Sequence, residues 1–165
     1  MTTRFCRINR WALVVLALSA MTVGHPAGRA CDPKKPPKKV RVSVLVILAS
    51  EKDDRIDKKL TCIAREVRKS HPELTSFRMA TLSCKSLTVG TADKFDLVEE
   101  QKACVTVQRA ADKMERVRLK VGPPSMGQIT YSTPCGKFLP IVTPLRTRKG
   151  DKVIIAVRVQ PCRGK

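Results

Sequence analysis

Apolar and polar positions follow different periods along this chain, and each period predicts a different element. "VRVSVLVILAS", Val40 to Ser50, is almost continuously aliphatic and rich in β-branched side chains. Such a run fits a strand buried on both faces, so it is expected at the centre of a sheet. "EKDDR" interrupts it. From about Asp54 to Lys69 the period lengthens. Ile56, Leu60, Ile63 and Val67 recur at helical spacing and form one stripe. Asp53 or Asp54 suits the cap, and Arg68 and Lys69 suit the negative end of the helix dipole. Ser70-His71-Pro72 ends the helix, because the residue before proline avoids helical geometry.

The rest of the chain reads as strands. "SFRMATLSCKSLTVG", Ser76 to Gly90, is expected to hold one or two. "KACVTVQR" alternates, with Ala103, Val105 and Val107 on one side. "ERVRLKV" alternates again through Val117, Leu119 and Val121, so the two predict a hairpin turning at "ADKM". "QITYST" is a further strand. "KFLPIVTPLRTR" carries Pro140 and Pro144, which places it at a sheet edge, and "KVIIAVRV" closes the set. The predicted fold class is α+β: one amphipathic helix packed on a largely antiparallel sheet of about six or seven strands.

The N-terminus has another pattern. "MTTRFCRINR" is basic, "WALVVLALSAMTV" is apolar, and "GHPAGRA" is short and rich in small residues. That order is the pattern of a secretory signal peptide, and the apolar run is shorter than the roughly 20 residues of a membrane span. Residues 1–30 are therefore expected to be cleaved, leaving a mature chain without a transmembrane span. "DPKKPPKK" follows, with three prolines and four lysines in eight residues. It predicts a stiff basic tether over 31–39, ahead of a single domain over 40–165. The expected location is exported, either periplasmic or extracellular. A lipid anchor at Cys31 is disfavoured, because Gly28 stands where a lipoprotein signal wants a branched aliphatic residue.

Removing the leader also changes cysteine parity. The chain has seven cysteines, and Cys6 leaves with the leader. Cys31, Cys62, Cys84, Cys104, Cys135 and Cys162 remain as disulfide candidates, an even set suited to an oxidising compartment. Cys62 falls off the apolar stripe of the helix, among Arg55, Lys58, Arg65 and Lys69. Neighbouring cations favour thiolate, which makes Cys62 the candidate for a thiol-dependent enzyme. Cys104 and Cys162 fall off the apolar registers of their strands, as staples do.

Formal net charge is +19. The mature chain keeps 29 cations against 14 acids, net +15, so the basic character belongs to the domain. Arg116, Arg118 and Lys120 are expected on one strand face, opposite Val117, Leu119 and Val121. Arg146, Arg148 and Lys149 fall in a turn, and Arg65 and Lys69 on the helix. These eight are the anion-binding candidates. The expected partners are an anionic polysaccharide, a lipid head group or an envelope protein. Sequence-specific nucleic-acid reading is not expected, since aromatics make up 4% and no recognition motif occurs. Ligand-rich clusters, phosphate loops and nucleophile elbows do not occur in the sequence, so neither a metal nor another cofactor is expected.

The order "ILAS…IDKKL…SFRMATLSCKSLTVG…TPLRTRKGDKVIIAV" resembles small exported bacterial domains of an uncharacterised family. Its close, "RKGDKVIIAV", resembles the late hairpins of secretin pores, which implies a role in an envelope secretion or assembly complex. The leading expectation is an exported, disulfide-stabilised, non-catalytic envelope domain that binds an anionic surface or another envelope protein. The assembly component and the Cys62 enzyme are the alternatives.

Overall fold

A computed structural model describes residues 38–161 of the chain. Its eight strands form two four-stranded antiparallel sheets. The first sheet has the order β2-β1-β8-β7: β2 is Ser76–Thr88, β1 Lys39–Ser50, β8 Lys152–Pro161 and β7 Phe138–Arg146. The second has the order β3-β4-β5-β6: Ala92–Asp96, Lys102–Arg109, Arg116–Gly122 and Ile129–Pro134. A 3₁₀ turn, Lys58–Leu60, runs into the eight-residue helix α1, Thr61–Arg68.

The protein is therefore mostly β with a minor helix, which corrects the picture of a helix on one sheet. Length gives the reason. Eleven helical residues reach about 16 Å, whereas a 12-residue strand such as β1 runs about 40 Å. The helix covers only part of one sheet. The alternating strands bury their apolar side against a second sheet instead.

Two cores result, one on each side of the first sheet. Val40, Val42, Val44 and Val46 of β1 face inward and meet Phe95, Ala103, Val105, Val107, Val117, Leu119 and Val121 of the second sheet. Leu45, Ile47 and Ala49 point the other way and pack with Leu60, Ile63, Ala64, Val67, Leu74 and Phe77. No residue from Val42 to Ile47 is more than 4% exposed, so β1 is buried on both faces.

The sequence expectations fare unevenly. β1 is central and the proline-bearing β7 is an edge. β4 and β5 pair as an antiparallel hairpin. The helix starts later than Asp54, and neither Asp53 nor Asp54 caps it. Asp57 precedes the 3₁₀ turn without a side-chain cap bond, and its carboxylate accepts the Met79 N–H at 2.8 Å instead. Ile56 lies before the helix and bridges Phe77. "SFRMATLSCKSLT" is one 13-residue strand, irregular where β1 passes from Val46 to Ile47. The short strand β3 was not expected. The expected signal peptide and Cys31 lie outside the described residues, and Lys39 of the expected tether already pairs with Thr88.

The turn between β3 and β4 is unusual. Gln101 N–H donates to the Val98 carbonyl at 3.1 Å, and the two residues between them have φ of 53° (Glu99) and 63° (Glu100). Tight hairpins favour positive φ at both central positions, and Asn-Gly normally supplies it. A side chain with a Cβ costs about 1–2 kcal/mol there. Glu100→Gly is expected to stabilise the fold by about 0.5–1 kcal/mol, after the added freedom of the unfolded chain is allowed for. A raised urea midpoint at unchanged slope is the readout.

Candidate functional site

The outer face of the second sheet has no layer packed over it from the helix, which lies on the far side of the first sheet. Alternation along its strands puts polar side chains there. On β5, Val117, Leu119 and Val121 are buried while Arg116 and Arg118 are exposed and Lys120 is half-buried. The i, i+2 spacing sets successive cations about 7 Å apart.

Strand pairing widens the row into a patch. Arg118 stands opposite Arg109 on one side and Ser132 on the other. Lys120 stands between Thr106 and Thr130. Lys94 of β3 opposes Cys104, which opposes Gly122. Among the described residues, Arg109, Arg116, Arg118, Lys120 and Lys94 form no ion pair. The face thus offers five cations without an ion pair, interleaved with hydroxyls, beside one cross-strand pair, Lys102 with Asp96 at 3.5 Å.

Asp112 borders the patch and anchors its turn. Its Oδ1 accepts the N–H groups of Met114 and Arg116, both at 2.9 Å. The Arg116 N–H above all holds the Asp112 carboxyl below the usual carboxylate range; burial opposes this, and the Met114 N–H and the charges of Arg116 and Arg109 add to it. The carboxylate is committed to the backbone of the β4–β5 turn.

The eight cationic candidates do not gather in one place. Arg116, Arg118 and Lys120 share the sheet face. Arg65 and Lys69 lie on the helical side of the molecule, where Lys69 pairs with Glu66 at 2.7 Å. Arg146, Arg148 and Lys149 belong to the end of β7 and the turn after it. Arg146 sits 3.8 Å from Glu51 and donates to the Gly150 carbonyl at 3.0 Å. Lys94 and Arg109 escaped the sequence reading. Arg109 is found only from hairpin register, and Lys94 only once β3 is recognised.

No disulfide joins the described cysteines, Cys62, Cys84, Cys104 and Cys135, to one another. Their placement explains this. Cys62 is exposed on α1, and Cys84 opposes Ser43 on the helical face, its Sγ 3.3 Å from the Ser43 Oγ. Cys104 is exposed beyond the second sheet. Packed sheets stand about 10 Å apart, more than the Cα separation of about 4.4–6.8 Å that a disulfide spans. Cys135 is half-buried; burial first, then Glu115 and Asp112, pushes its thiol up. Cys31 and Cys162 lie outside the described residues.

His71 lies just past the helix, with Nδ1 3.0 Å from Glu73 Oε1. Among the described residues, no three metal-ligating side chains cluster, and no helix is long and apolar enough to cross a membrane. No protein-family model, curated protein or solved structure matches this chain.

Two predictions follow from this geometry. In the reduced, folded protein near neutral pH, Cys62, Cys84 and Cys104 should alkylate at least about tenfold faster than Cys135, because exposure and thiolate character govern the rate; peptide mass mapping over time reads this. Asp112, with its lowered folded-state pKa, contributes stability that is present above its ordinary value near 4 and is lost as pH falls through the folded value. Asp112→Asn should therefore lower the denaturation midpoint at pH 7 and flatten its decline below about pH 4.

Proposed function

We propose that the protein is an exported, non-catalytic envelope domain that binds an anionic polymer or surface through the outer face of its second sheet. The observation that carries this reading is the cation patch on β5 and its neighbours, where Arg109 and Arg118 stand directly opposite each other and, among the described residues, form no ion pair, the nearby Asp112 being bonded to the turn backbone. Like charges at that position destabilise a sheet. An external polyanion removes that cost and gains from counterion release. The basic, apolar and small-residue order of the N-terminus supports export. The even cysteine number left by leader removal supports an oxidising destination.

An envelope-assembly role is the second reading, and a different surface favours it. β2 is an edge strand; Arg55, Ile56 and Asp57 bond its start as far as Met79, and beyond them Leu82 is 50% exposed. An open edge with apolar side chains can take an added strand from a partner.

Heparin serves as the probe polyanion for the first reading. Its affinity should fall log-linearly as salt rises from about 50 to 200 mM. Arg118→Glu with Lys120→Glu should weaken it by at least about tenfold, while Arg65→Glu on the opposite side changes it little. Equal losses from the two variants, or affinity indifferent to salt, would overturn the assignment to this face.

A further inference from the structure

At one end of the sandwich, the β3–β4 turn of one sheet meets the β7–β8 turn of the other. Between them lies a cleft of about 330 Å³, at the lower end of the roughly 300–1,000 Å³ of small-molecule sites. Leu48 and Val98 give it an apolar part, and Arg78, Glu99, Arg148, Lys149 and Asp151 give it charge.

The acids of the cleft are already committed. Asp151 Oδ2 takes the Arg78 guanidinium at 2.8 Å, and its side chain is only 12% exposed. Glu99 Oε1 accepts the backbone N–H of Arg148 at 2.7 Å. The Arg148 and Lys149 side chains form no ion pair among the described residues. Glu99 keeps its negative charge, so the lining holds three cations against two acids, a net charge of +1 beside an aliphatic wall.

The strain in the β3–β4 turn belongs to the same place. Glu99 and Glu100 both hold left-handed backbone that glycine would occupy at lower cost. In that conformation the Glu99 carboxylate spans from the second sheet to the hairpin of the first and fixes the mouth between them. Backbone strain of this kind persists where surrounding structure over-determines it, and it clusters at ligand sites.

We propose that this cleft binds a small aliphatic carboxylate, its chain against Leu48 and Val98 and its carboxylate at Arg148 and Lys149. The same chemistry is presented by a short fatty acid and by the C-terminus of a peptide ending in an aliphatic residue. The site is separate from the cationic sheet face and does not rest on the polyanion reading.

Two-dimensional amide NMR of the full chain tests this with sodium octanoate, its neutral counterpart octanamide, and a short peptide ending in Val-Leu as acid and as amide. A ligand of about ten heavy atoms is expected to bind on the order of 1 mM. Saturable shifts at Leu48, Val98, Glu99 and Arg148 are expected from octanoate or from the peptide acid. The neutral partner of each should bind at least about tenfold more weakly, the loss expected for an ion pair worth one power of ten. Which acid binds identifies the source. Arg148→Glu with Lys149→Glu should weaken binding by the same factor. The amide spectrum of that variant checks that its fold is kept. Overturning results are absence of saturable shifts at the cleft from either acid, equal binding of acid and neutral forms, shifts confined to Arg116–Lys120, or undiminished affinity in a folded variant.

Discussion

The structure depends on β1 being buried on both faces. Its odd and even positions feed two separate cores, Val40, Val42, Val44 and Val46 toward the second sheet and Leu45, Ile47 and Ala49 toward the helix. Each valine, leucine and isoleucine among them contributes about 1.5–3 kcal/mol when fully buried. A one-residue slip would exchange the two sets, placing leucine, isoleucine and alanine where the valines fit. The strand is also hydrogen-bonded on both edges, to β2 and β8. Neither the helix nor the second sheet can be removed without baring one face of the same strand.

This arrangement gives the molecule two unlike outer surfaces. One carries the helix, and Leu60, Ile63, Ala64 and Val67 explain why it docks there. The other has no covering layer among the described residues and needs only side chains that tolerate water. Mixed charges would satisfy that need and would pair across the strands, as Lys102 and Asp96 do at its β3 edge. Arg116, Arg118 and Lys120 with Arg109 and Lys94 do not pair in this way. Solvation accounts for their polarity but not for their common sign.

How much of this was legible in the sequence follows from what periodicity reports. Alternation through Val117, Leu119 and Val121 told which side of β5 is buried, and therefore where Arg116, Arg118 and Lys120 point. It did not tell what lies against the buried side, so the second sheet was missed as a separate layer. β3 was invisible because "ADKFD" buries only Phe95 and is too short to show a period. The helix start was misplaced because Asp57, which precedes the first helical turn, spends its carboxylate on β2. The cleft draws on the end of β1, the start of β2 and two distant turns, a conjunction that only the folded chain creates.

The distribution of positive charge becomes sharper once the cations used by the fold are set apart. Arg68 donates to the carbonyls of Leu74 and Thr75 and lies over the Phe77 ring, so it closes the loop after the helix. Lys85 reaches from β2 to Asp93 and the Lys94 carbonyl of β3 and covers Phe95, which ties the two sheets together. Arg158 stacks on Phe138 between β8 and β7. Arg78 is held by Asp151 and Lys69 by Glu66. These side chains would be retained by packing and hydrogen bonding whatever the protein binds. The patch cations on the second sheet make no such contacts with the fold, and substitution there removes charge without removing support. That separation lets the charge of the sheet face be altered without removing a contact that holds the fold.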